Sequence, residues 1–398
     1  FAVDGITGRD LCSLWVDFIL LGEKTLTTSQ VIEAFQKLSE RNRSMMKRIQ
    51  TQLLGTALAL LFLIQPAIGQ VNDQAYLKSN PTESIRGPID KISKTEVVIR
   101  VNGTPRILQA NEILRIQFAN APADLLQAAA AYRRGQFNEA RTGLAGFNLA
   151  EIKDKWVKEE IVFMLASIDA KSALAGEGDK NAAGTLLIGF ITDYEESFHY
   201  YEAVELFADL AYSVGQFQTA AEYYQKLTES PWGDLINFGT LRLANATVGQ
   251  GQYADALTKF EAVLQQQATT PEQQALQAEA QAGRARCLGE TGKAADGIAV
   301  VEKIIADNDP KTQKTLFAQA YNAQGVCYRA SNQNKDAILA FLHTHLIFNQ
   351  NADAHAESLY HLTQLWEAES KADRAASTKS LLREKYTGTF WEQKLRNQ

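Results

Sequence analysis

The chain has 398 residues, enough for two or three domains. Hydrophobic residues at 45% and charged residues at 22% suit a protein with a sizeable core. The net charge of −6 excludes a general nucleic-acid binder, which needs a basic surface, and three cysteines exclude a disulfide scaffold or a four-cysteine zinc site.

The chain opens on Phe1, and a segment with the marks of a native N-terminus lies further in. Met46-Lys47-Arg48 is basic, Leu53 to Ile64 is largely apolar, and Pro66-Ala67-Ile68-Gly69 offers a small-x-small site. These are the three parts of a secretory signal, and the apolar run is short for a membrane span, which needs about 20 residues. Residues 46–69 therefore read as a signal peptide cleaved after Gly69, with an uncleaved signal anchor and a buried core helix as alternatives. Residues 1–45, with a helical stretch from Ser29 to Arg41, read as an upstream segment whose place in the mature protein the sequence leaves open. The compartment this implies is periplasmic or extracellular, with membrane contact only if the signal stays uncleaved.

Residues 70–83 are polar, contain Asn80-Pro81, and read as a linker. From Ile85 the pattern alternates. Val97, Ile99 and Val101 share one face, and Asn102-Gly103 predicts a type I′ hairpin into Arg106-Ile107-Leu108. Ile89 and Ile92 before it, and Ile113 to Phe118 after it, supply two further strands. The expectation is four antiparallel strands within 84–118, an SH3-like or curled-sheet unit too small to be stable alone and docked on the next part of the chain. Its basic residues are scattered and it has no aromatic platform, so no nucleic-acid partner is expected.

From Ala121 the text repeats. Tyr132-Arg-Arg-Gly-Gln-Phe137-Asn-Glu-Ala140 is echoed by Tyr212-Ser-Val-Gly-Gln-Phe217-Gln-Thr-Ala220 and by Val248-Gly-Gln-Gly-Gln-Tyr253-Ala-Asp-Ala256. Turn anchors fall at Gly135, Gly178, Gly215, Gly251, Gly292, Asn332 and Lys371, spaced by 36 to 43 residues. Five residues after each stands a small residue, Ala140, Ala183, Ala220, Ala256, Gly297, Ala337 and Ala376, where two antiparallel helices cross closely. Four further on come Leu144, Leu187, Tyr224, Phe260, Val301, Phe341 and Ser380, read as core-facing. A repeating helix–turn–helix of this period is a solenoid.

The Gly-x-Phe/Tyr-x-x-Ala turn, with Ala208, Ala244 and Ala285 upstream, resembles the tetratricopeptide repeat family over residues 121–390, although that family's unit is 34 residues. The expected fold is mainly α: about seven such hairpins over 121–398 behind the small β unit. The resemblance implies a non-catalytic scaffold that holds a protein, as a peptide or partner helix, in its concave groove. A docking or regulatory subunit of an envelope assembly or secretion complex is the alternative, and an enzyme of unknown class comes third. Mapped from the anchors, the family's ligand-facing positions fall on Asn245, Arg286, Asn322, Arg329 and His361.

No cofactor is expected. Gly249-Gln-Gly251-Gln-Tyr-Ala254 matches a dinucleotide motif by letter but comes after a helix rather than a strand. The loop at Gly176 lacks the Gly-Lys-Ser/Thr of a phosphate cradle, and Asn245-Ala-Thr247 matches a glycosylation site but falls inside a helix. Glu357 and His361 stand four apart but lack a third metal ligand, and neither His343/His345 nor His355/His361 is well spaced as a pair. Cys287 and Cys327 occupy equivalent points of neighbouring units, too far apart to bond.

Overall fold

In the computed structural model the residues described are 72–398, which form one unit. The signal-like segment 46–69, the upstream residues 1–45 and Cys12 lie outside them.

The chain enters as β-structure at Gln74. Six strands come first: β1 (Gln74–Leu77), β2 (Asn80–Arg86), β3 (Ile89–Ile92), β4 (Glu96–Val101), β5 (Thr104–Gln109) and β6 (Ile113–Gln117). They make two three-stranded sheets, ordered β2-β1-β6 and β3-β4-β5, antiparallel throughout. The stretch 70–83, expected as a linker, therefore carries β1 and the start of β2. Its polarity misled because β2 is a solvent-facing edge strand, the one place where Pro81 and a run of polar residues are tolerated. Asp73 explains the order of this region: its carboxylate accepts from Ile89 N at 2.9 Å and Ala119 N at 2.8 Å, tying both sheets together. The expected Asn102-Gly103 hairpin is present, with φ of +50° and +82° closing Val101 against Thr104.

Helices then run to the C-terminus in pairs: α1 (Ala123–Arg133) with α2 (Phe137–Leu144), α3 (Lys155–Leu174) with α4 (Lys180–Asp193), α5 (Tyr200–Ser213) with α6 (Phe217–Thr228), and α7 (Gly233–Gly249) with α8 (Tyr253–Leu264). The series continues with α9 (Pro271–Glu290) and α10 (Ala294–Asp307), α11 (Lys314–Ala330) and α12 (Asn334–Leu346), and α13 (Ala352–Ala368) and α14 (Ala372–Lys385). A short α15 (Phe390–Arg396), which the repeat pattern did not foretell, ends the series.

Each first helix stops the same way. At Gly215, N–H donates to Tyr212 O at 2.9 Å and the next N–H to Ala211 O at 2.9 Å, with Gly215 left-handed at φ +81°. This Schellman geometry recurs at Gly135, Gly251, Gly292 and Asn332. Two anchors are corrected. In the second unit the helix stops at Gly176, and two further residues precede Asp179, whose carboxylate caps α4. In the seventh unit the left-handed residue is Ser370 rather than Lys371, so Ala375 is the buried small residue. Ala376 and Ser380 are exposed. In the second unit only the helix stop moves, since Ala183 and Leu187 are buried as expected; in the seventh the weak match to the repeat misplaced the register by one residue. Elsewhere the crossing positions behave as expected: Ala140, Ala220, Ala256 and Ala337 are fully buried, and a Cβ on Gly297 would meet Cys327 Sγ at 2.6 Å.

The β unit docks as expected. Val97, Ile99, Leu108, Ile113 and Ile116 share one core with Leu125, Ala128 and Leu144 of the first hairpin and Ile161 and Met164 of the second. Phe118 also stacks on Trp156. Burying the open end of the solenoid replaces the polar cap that a terminal repeat otherwise needs.

Candidate functional site: the concave groove

The first helices of successive units line a groove of about 1670 Å³ that reaches from the α3–α4 turn to α15. Its walls are polar and aromatic. Asp209 comes from α5, Arg242 and Asn245 from α7, Glu279 and Arg286 from α9, Gln319 from α11, and Asp353 and Glu357 from α13. Glu279 and Gln319 stand thirteen residues before their anchors, as Glu202 does before Gly215, so one helical register places a polar side chain at this point of three units.

At its deep end Glu357 is the hub. Its side chain is 8% exposed and forms an ion pair with Arg286. Asn322 Nδ2 donates to Glu357 Oε2 at 3.0 Å and to Ala354 O at 2.8 Å. His361 Nε2 stands 3.7 Å from Glu357 Oε1, while Arg329 donates to His361 Nδ1 at 3.0 Å and to Glu290 at 3.4 Å. Burial alone would raise the Glu357 pKa, but the facing Arg286, then His361 and Asn322, hold it at about 2. The same ion pair keeps Arg286 charged despite its burial. Burial and the nearby guanidinium groups lower His361 to about 4, so its imidazole is neutral at pH 7 and accepts at Nδ1.

Further along, Asp209 lines the groove and Glu205 stands one turn before it on α5, both near Arg242, which also has Glu279 beside it. Burial first, and then Asp209, push Glu205 up to about 7. Tyr224 donates to Asp209 at 2.5 Å. Asp353 is pushed up to about 6 by the enclosing walls and by Glu357. Several buried polar atoms here meet no protein partner: Arg242 Nε, Arg286 Nε and Gln319 Oε1.

Of the five residues expected to face a ligand, four meet in one network, and the network alters their reading. Asn322 and His361 are 1% and 3% exposed and are spent on Glu357 and Arg329 rather than on the groove. They sit where one first helix packs on the next. Arg286 lines the groove but is neutralised by Glu357, and Arg329 is tied to His361 and Glu290. Asn245 lines the groove on α7, apart from that network. Sequence reasoning missed Arg242, Asp209, Glu279 and Gln319; the thirteen-residue offset would have found the last two.

The remaining motifs are structural. Gly251 ends α7 at φ +77°, and a Cβ on Gly249 would collide with the Phe217 ring. His345 and His355 hydrogen-bond at 2.8 Å, and His355 reaches Tyr386 at 2.6 Å. Among the described residues no group of three or more His, Cys, Asp or Glu is placed to hold a metal. Cys287 and Cys327 are buried free thiols.

No protein-family model matches the chain, and no curated protein is significantly similar to it. Solved structures are similar. A tetratricopeptide repeat protein from Parabacteroides merdae superposes with a TM-score of 0.52 at 13% identity, over 69% of this chain and 95% of that one. A Rap protein complexed with the competence and sporulation factor gives 0.49 at 13% identity, over 68% of this chain and 77% of that one. Behind its small antiparallel sheets, the chain thus has the helical-repeat fold of the tetratricopeptide repeat proteins.

Proposed function

We propose that the protein is a non-catalytic scaffold that holds an extended peptide or partner helix of another protein in the concave groove. The observation that carries this reading is the row of polar side chains along the groove, Asn245 on α7, Glu279 and Arg286 on α9 and Gln319 on α11, contributed by three successive first helices. Amide, carboxylate and guanidinium side chains supply donors and acceptors, and a polypeptide main chain offers the complement of both. Packed helices stand about 8–10 Å apart, close to the span of three extended residues, so one strand meets each helix in turn.

The working compartment we propose is periplasmic or extracellular, supported by the basic, apolar and small-residue segments of 46–69. Intact mass of the protein recovered from its host tests this: a chain beginning at Gln70 agrees, and one retaining Leu53–Ile64 does not. The groove is tested by pull-down from envelope fractions with wild type against Asn245→Ala/Gln319→Ala. A partner recovered by wild type and lost by at least tenfold from the variant agrees. Equal recovery refutes the groove, and turnover in an activity panel refutes the scaffold.

A further inference from the structure

The stretch of groove between α5 and α9 holds more carboxylates than cations. Glu205 and Asp209 come from α5, Arg242 from α7 and Glu279 from α9, and Arg242 lies amid the three carboxyls. Among the described residues Arg242 is the one cation that acts on Asp209 and Glu279. It does so through space, with no ion pair or hydrogen bond to either, and its guanidinium lies 4.9 Å from the Phe238 centroid on its own helix. The neighbouring cations are committed elsewhere. Lys171 pairs with Glu202 at 3.2 Å and donates to Tyr132 OH at 2.6 Å, and Arg286 is paired with Glu357. Three carboxyls therefore share one guanidinium, and no internal counter-ion balances the excess. Burial raises the pKa of all three, Glu205 to about 7, so each would hold its charge more readily beside an added cation. Tyr212, one turn beyond Asp209, adds a half-buried ring to the same wall, a surface on which a Lys or Arg stem packs.

We infer that this stretch is a cation subsite: the partner segment held in the groove presents a Lys or Arg side chain to Glu205, Asp209 and Glu279. Arg242 then donates to main-chain carbonyls of the same segment, which a peptide offers beside any side chain. The inference rests on the groove reading given above and adds to it the chemistry of the partner. An acidic segment meets like charges at three of the four positions and is repelled. The subsite belongs to the stack rather than to one repeat, since α5, α7 and α9 come from three successive units and each supplies part of it.

Fluorescent hexapeptides of Arg, Gln and Glu, acetylated and amidated, are titrated by anisotropy into the full chain at about 0.15 M salt. The proteins are wild type, Asp209→Asn/Glu279→Gln, and Asp296→Asn/Glu302→Gln, which makes the same charge change on exposed residues of α10. Asp209→Asn leaves an acceptor for the Tyr224 hydroxyl and Glu279 makes no hydrogen bond among the described residues, so the fold should persist, as circular dichroism checks. The arginine peptide should bind wild type at least tenfold more tightly than the glutamine peptide, with the glutamate peptide weakest. The groove variant should lose at least tenfold of that affinity and the α10 variant less than threefold. Equal binding of the arginine and glutamine peptides, no binding of the arginine peptide, or equal loss in the two variants would each overturn the subsite. Binding that ignores charge but is lost in Asn245→Ala/Gln319→Ala keeps the groove and sinks the subsite, whereas binding untouched by either groove variant sinks both. If the double variant fails to fold, Glu279→Gln alone decides: it should weaken the arginine peptide at least threefold, and no change overturns the inference.

Discussion

Replacing Arg286 by Ala leaves Glu357 as a buried carboxylate without its cation. The side chain is 8% exposed, and its remaining neighbours are the Asn322 amide and a neutral His361. Removing one partner of a buried ion pair costs about 3–5 kcal/mol, whereas replacing both by apolar groups of similar volume is near neutral. The two remaining neighbours place Arg286→Ala at the lower end, about 3 kcal/mol, or two powers of ten in the folded-to-unfolded ratio. Arg286→Met/Glu357→Leu should fall within about 1 kcal/mol of wild type. Repeat arrays need not unfold in one step, so the assay is urea unfolding monitored together with amide exchange in α9 and α13. The pH dependence gives a second arm. Glu357 is held at about 2 against an ordinary 4.5, so the pair's contribution is present above pH 4.5 and is lost as pH falls towards 2. The gap between wild type and the double variant should change over that window alone. A single variant losing under 1 kcal/mol, or a double variant worse than the single, would refute the hub role of Glu357.

His199, stacked on Phe163, has Glu160 at 2.9 Å and Glu202 at 3.8 Å on its two ring nitrogens; burial lowers its pKa, but the carboxylates outweigh this and raise it to about 9. Its stabilisation, on the order of 3 kcal/mol, is full below pH 6.5 and lost as pH rises to 9, so melting of wild type and His199→Gln should converge across that range. Ala375→Leu should cost about 1–3 kcal/mol by overpacking while Ala376→Leu is nearly silent; thermal melts showing the reverse would restore the register read from Lys371. Ser370→Gly relieves a left-handed backbone at φ +57° and should stabilise by about 1 kcal/mol in urea. Burial pushes the Cys287 and Cys327 thiols up to about 12 and 11, so native protein should resist alkylation at both, and both should react after denaturation without reductant, as read by peptide mass.

The repeat architecture was legible in the sequence because each hairpin is built from local rules. A left-handed residue stops one helix, and a small residue five places later lets the next cross it; both leave letters at fixed offsets, as at Gly215 and Ala220. The Asn102-Gly103 turn was legible for the same reason. Offsets failed where the local signal was weak: at Gly176 and Ser370, and at polar edge strand β2, which reads as a linker because only its pairing with β1 shows it is a strand. The candidate site was half legible. Counting from the anchors found Arg286, Asn322, Arg329 and His361, since all lie on first helices. That Glu357 would gather them, and that Asn322 and His361 would be buried beneath the groove, depended on how α9, α11 and α13 stack. The meeting of Phe390 with Gly215 spans 175 residues and arises from the winding of the intervening units, a cumulative rotation that no local pattern encodes.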